Sequence, residues 1–177
     1  MLFTETKLKG AFIIEIEKLE DERGFFGRSW CVSEMNGHGI NVNIKQANVS
    51  FNKTKGTLRG MHYQKSPWQE AKLIRCSSGS IFDVIIDLRK NSPTYKEWIG
   101  AELSQDNYKM LYVPKDFAHG FITLEDNCEV SYLMSEFYVP GAGVTIRWND
   151  PLFNIQWPLE PINISDKDKA QPDFVLF

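Results

Sequence analysis

The sequence predicts an all-β protein, a sandwich or barrel carrying few and short helices. Three observations lead there. β-Branched and aromatic residues recur with period two along most of the chain. Clusters of Gly, Pro, Asn and Asp break these runs at intervals of about ten residues, the spacing of short strands joined by turns. The 177 residues, 42% hydrophobic and 13% aromatic, can bury one ordinary core but are short for two. Residues 1–177 are therefore expected to form a single domain.

From the N-terminus, the first strong strand signal is Thr57–Gln64, and residues 71–76 repeat its character. The clearest strand is 81–89. There Phe82, Val84, Ile86 and Leu88 share one face, and Asp83, Ile85, Asp87 and Arg89 share the other. An aspartate beside an isoleucine implies a partly polar interior face. Turn chemistry at Asn91-Ser92-Pro93-Thr94 ends the run. Strands follow at 110–113, 120–124 and Cys128–Met134, before a second turn at Tyr138-Val139-Pro140-Gly141. Beyond Trp157-Pro158 the apolar periodicity fades, and this tail is expected to drape over the body.

Charge excludes some partners. The formal charge is -3, from 20 basic and 23 acidic residues that are well mixed, so no single-sign field favours nucleic acid or a membrane surface. No apolar segment approaches the roughly 20 residues that span a bilayer, and the N-terminus lacks a basic stretch followed by an apolar run. Cys31, Cys76 and Cys128 are odd in number and widely spaced, with no CxxC pair. Reduced thiols in a cytoplasmic protein fit best.

Only three histidines are available as a general base. His38, in Asn36-Gly37-His38-Gly39, reads as a solvated loop tip. His62 shares a strand with Arg59 and Gln64, so a base, a cation and an amide lie within one short segment. Strict alternation puts Arg59 and His62 on opposite faces; Gly60, between them, offers a bend or bulge that would reunite them. His119 follows a turn at Pro114 and precedes Gly120, a position from which a side chain projects into a barrel mouth. With Glu70, the two histidines could be read as metal ligands. Position 64 is Gln, however, so no His-x-His pair exists, and no metal site is assigned. Taken singly, His62, Tyr132 and Lys72 read as a hydrogen-bonded strand histidine, a packed aromatic and an exposed cation.

Taken together, segments along nearly the whole chain resemble the dTDP-4-dehydrorhamnose 3,5-epimerase family. They include Asp21-Glu22-Arg23-Gly24-Phe25-Phe26, Gln46-Ala47-Asn48-Val49-Ser50, residues 56–64 and Ala71-Lys72-Leu73. Further on come Phe82-Asp83-Val84, Asp87-Leu88-Arg89, Ser92-Pro93-Thr94, residues 114–121, Glu129-Val130-Ser131-Tyr132, Trp148-Asn149-Asp150-Pro151 and Ser165-Asp166-Lys167-Asp168. The resemblance implies a cupin-type jelly-roll barrel and a cofactor-independent isomerase. Its reaction inverts carbons 3 and 5 of a 4-keto-6-deoxyhexose on a nucleoside diphosphate.

Each reacting carbon neighbours the ketone, so the site needs a base, a cation at the ketone oxygen and an acid across the ring. By resemblance His62 is the base, with Asp168 or Asp83 orienting its imidazole. Lys72 stabilises the enolate oxygen and Tyr132 returns the proton. Arg23, Arg59 and His119 match positions that approach the diphosphate and sugar, Lys167 matches a substrate-binding position, and arginine grips phosphate oxygens bidentately. Gln46, Asn48 and Ser50 match hydrogen-bonding positions, while Phe26 and Tyr138 match aromatics near the sugar and base. Family members are dimers whose N-terminal strand crosses to the partner, which would place Arg23 and Phe26 in the neighbour's site.

Three places depart from the family pattern. Arg28 stands where many members carry glutamate, Ala142 and Gly143 fill a stretch where another glutamate is common, and Thr145 replaces a frequent glycine. A GDP- or CDP-linked keto sugar, or inversion at one carbon only, therefore stays open. More distant alternatives are a metal-dependent cupin dioxygenase or isomerase, and a sugar-binding cupin without catalysis.

Overall fold

The structure is a computed structural model that describes residues 1–174. Its elements, in chain order, are β1 (Leu2–Glu5), β2 (Phe12–Glu15), β3 (Leu19–Asp21), β4 (Gly24–Phe26), α1 (Val32–Gly37), β5 (Gln46–Asn52), β6 (Thr57–Gln64) and β7 (Lys72–Ser78). There follow β8 (Ser80–Asp87), β9 (Trp98–Ser104), β10 (Lys109–Val113), β11 (Phe117–Thr123), β12 (Cys128–Met134), β13 (Gly143–Thr145), β14 (Asn163–Ile164) and α2 (Asp166–Lys169). One sheet runs β1-β2-β10-β7-β12-β5 and a second runs β13-β6-β11-β8-β9, with β14 pairing parallel to β6. β3 and β4 form a separate hairpin. The fold is all-β with two short helices, as the strand pattern and the jelly-roll resemblance imply.

Alternation explains how the layers stack. Ile74, Cys76 and Val130 from the first sheet meet Ile81, Ile85, Phe117 and Phe121 from the second in the central core. The opposite residues of β8, Val84 and Ile86, are buried too. They lie with Met61 beneath Ile146, Phe153 and Ile155, so the second sheet is covered on both faces. On the first sheet's outer face, Phe12, Ile14, Leu73 and Met110 pack under Met35 and Ile40. Each such side chain contributes about 1.5–3 kcal/mol when fully buried.

Two expected strands, Thr57–Gln64 and Cys128–Met134, match β6 and β12. The expected 81–89 strand instead stops at Asp87, whose buried carboxylate accepts hydrogen bonds from Arg89, Ser92 and Thr94 and turns the chain. The tail does not simply drape: β14 docks on β6, and α2 returns Asp168 to the interior. Among the described residues, no helix is long and apolar enough to cross a membrane.

Candidate active site

Toward the Lys72 and Met134 ends of β7 and β12 the central core gives way to a cavity of about 540 Å³. The first sheet lines it with Ser50, Lys72, Tyr132 and Met134, and the second with Arg59, His62, His119 and Phe121. Tyr132 and His62 therefore reach one cavity from opposite sheets.

Arg59 and His62 share the cavity because the β6–β11 register slips between them. His119 pairs with His62, and Phe121 pairs with Arg59, so two residues of β6, Gly60 and Met61, stand opposite the single Gly120 of β11. The shift restores both side chains to one face, while Met61 turns to the outer layer. Glycine is required here. Gly60 has φ +131°, and a Cβ on it would sit 2.5 Å from Gly120 Cα and 3.0 Å from the His119 carbonyl oxygen.

Each cavity histidine has its own carboxylate. His62 Nε2 lies 2.7 Å from Asp168 Oδ1, and His119 Nε2 lies 2.6 Å from Asp83 Oδ1. Asp83, one of two candidates for orienting His62, thus belongs to His119 instead: it sits opposite Phe121 on β8, one strand further from β6. Burial pushes the Asp168 carboxyl up, but the His62 hydrogen bond and charge, with bonds from Ser165 and Gly60, outweigh it and hold the group below its ordinary value. An ionised Asp168 favours the tautomer in which Nε2–H donates a hydrogen bond to it and Nδ1 carries the lone pair. The imidazole is 43% exposed, open to a ligand.

Lys72 Nζ lies 3.0 Å from Glu70 Oε1 and donates to the His62 carbonyl at 3.1 Å. Arg59 Nε donates to Asn52 Oδ1 at 2.6 Å; sequence reasoning missed Asn52, whose signal was its place in phase with Gln46, Asn48 and Ser50 on β5. Ser50 and Lys167 line the cavity. Asn48 pairs with Tyr132 in register but does not line it. Gln46 Oε1 accepts from the Tyr138 amide at 2.6 Å, so it supports the rim loop. Gln64 does likewise, accepting from Val139 N–H and donating to the Phe137 and Trp68 carbonyls. Tyr138 stands at the rim, 66% exposed.

Arg23 and Phe26 lie outside this cavity, on the exposed β3–β4 hairpin. Arg23 is paired with Asp21. Of the departures, Arg28 is paired with Glu34 at 2.7 Å, Ala142 is buried in a turn, and Gly143 and Thr145 line the cavity. Among the described residues, no group of three or more His, Cys, Asp or Glu side chains is gathered as for a metal; Glu70 is engaged by Lys72.

Residues 5–175 match the family model of dTDP-4-dehydrorhamnose 3,5-epimerase. The chain is 44% identical to the dTDP-4-dehydrorhamnose 3,5-epimerase of Methanothermobacter thermautotrophicus, over 94% of this chain and 91% of that protein. The crystal structure of the Bacillus anthracis enzyme of that name, with TDP and PPi bound, superposes with a TM-score of 0.94 at 41% identity, covering 98% of this chain and 99% of that one. The Legionella pneumophila dTDP-6-deoxy-D-glucose-3,5-epimerase in complex with dTDP-4-keto-L-rhamnose superposes at 0.88 with 37% identity, covering 94% and 89%. A two-sheet fold whose cavity receives His62 from one side and Tyr132 from the other, matched along nearly its whole length, places this chain in the dTDP-4-dehydrorhamnose 3,5-epimerase family.

Proposed function

We propose that the protein is an isomerase that inverts C3 and C5 of a dTDP-linked 4-keto-6-deoxyhexose by deprotonation and reprotonation from the opposite face. The observation that carries this is the approach of His62, braced by Asp168, and Tyr132 from opposite walls of one cavity. His62 Nδ1 takes the C–H proton, and the electron pair moves through the carbon–carbon bond onto the ketone oxygen. The Lys72 ammonium donates a hydrogen bond to that enolate oxygen. Tyr132 O–H then delivers its proton to the carbon from the other side, and solvent exchange returns base and acid to their starting forms. No step draws on a redox partner, because each carbon leaves at the oxidation level at which it entered.

Arg59 and Lys167 provide cations for the diphosphate, and Tyr138 a flat ring for the base. The protein acts as a homodimer, with Arg23 and Phe26 reaching the partner's cavity. Support comes from the edge strand β5, whose outward Val49 and Phe51 are exposed, and from the exposed hairpin carrying Leu19, Phe25 and Phe26. A cytoplasmic setting suits the three free cysteines.

Incubation in heavy water with dTDP-4-keto-6-deoxyglucose tests the reaction. Deuterium at both C3 and C5, followed by NMR, is the expected outcome; exchange only with a GDP- or CDP-linked analogue, or at one carbon, would redirect the substrate assignment.

A further inference from the structure

We infer that Glu70 is a positioning residue that aims Lys72 at the reacting oxygen and fixes its distance from the base. The inference rests on the reading of Lys72 given above. Glu70 lies between β6 and β7, its side chain 4% exposed, and Lys72 beside it is 8% exposed. One carboxylate oxygen lies 3.0 Å from Lys72 Nζ, while the other accepts the Gln64 backbone N–H at 3.1 Å. Lys72 Nζ in turn donates to the backbone carbonyl of His62 itself, at 3.1 Å.

Both ends of the ion pair therefore grip the strand that carries the base, and the pair ties β7 of one sheet to β6 of the other. An ammonium has three N–H donors. One is donated to the His62 carbonyl while the ammonium faces Glu70 Oε1 at 3.0 Å, which leaves donor capacity for a substrate oxygen in the cavity that all three residues line. A lysine without such partners samples many rotamers of its four-carbon stem. A pair that merely balanced buried charge would not need to hold the residue bearing the base.

The test compares Glu70→Gln, Lys72→Met and the double variant by deuterium exchange at C3 and C5 and by dTDP binding. Glu70→Gln keeps the shape and an acceptor for Gln64. Its kcat for exchange is expected to fall about 10- to 100-fold, with KM and the dTDP Kd unchanged within about twofold. In the Lys72→Met background the same substitution is expected to change exchange by less than about twofold, because no ammonium remains to be aimed. If Glu70→Gln/Lys72→Met does not fold, Glu70→Leu/Lys72→Met, which removes both charges as a unit, replaces it. An undiminished effect of Glu70 in the Lys72→Met background, or wild-type kcat in folded Glu70→Gln, overturns the inference and leaves the proposed function standing. Wild-type exchange by Lys72→Met instead overturns the role of Lys72, and this inference with it.

Discussion

In the proposed reaction His62 and Tyr132 divide the work by geometry, reaching one cavity from opposite sheets, and their variants should fail differently. His62→Ala is expected to abolish deuterium exchange at both carbons while dTDP still binds, as read by NMR and calorimetry. Retained exchange would mean that another group is the base. Tyr132→Phe is expected to keep proton abstraction but impair inversion; an unchanged product ratio would remove its role as acid. Gly60 acts one step earlier, by letting the strand slip so that Arg59 and His62 face one space. Gly60→Ala puts a methyl group within 2.5 Å of Gly120 Cα at a positive φ. A loss of about 2–4 kcal/mol in urea unfolding is expected, along with loss of exchange. This was a place where the sequence raised the right conflict: alternation denied a joint site, and the intervening glycine marked how the chain resolves it.

Among the elements, the turn after β8 carries the clearest electrostatic load. Asp87 is fully buried and accepts from the Arg89 backbone and guanidinium, Ser92 Oγ and Thr94 Oγ1. Burial pushes its carboxyl up, but these donors outweigh burial and bring it down from 3.8 to about 2. The folded value lies below the unfolded one, so the turn contributes about 2 kcal/mol above pH ~4 that is lost as pH falls toward 2. Asp87→Ala is expected to cost about 3 kcal/mol at neutral pH and to flatten the acid limb of the stability curve measured by urea titration. Strands such as β8 and β12 were legible because runs of β-branched and aromatic residues fill them, Ile81 and Ile85 of β8 facing the central core while Val84 and Ile86 face the layer beyond. β5 escaped because its pattern is inverted: Ser50 and Asn52 point inward at the site, while Ala47, Val49 and Phe51 point out. Nor did pattern reveal that Asp83 serves His119 rather than His62, since that depends on which strand lies next to which.

At the scale of the whole molecule, the uncovered Val49 and Phe51 make a prediction about assembly. Val49→Glu/Phe51→Glu is expected to shift sedimentation from dimer to monomer and, by withdrawing the partner's Arg23 and Phe26, to weaken dTDP binding more than it slows exchange at saturation. Wild-type sedimentation by that variant would move the interface elsewhere. The sequence could not place the tail, because its helix is four residues long and its value lies in one contact rather than in any periodicity. That contact joins His62 to Asp168, 106 positions apart. In the proposed reaction, competence for chemistry therefore waits until the stretch that carries Asp168 has docked against β6. A refolding chain should regain its β-sheet signal before it regains turnover, and proteolytic clipping beyond Trp157 should leave a barrel that is intact yet idle.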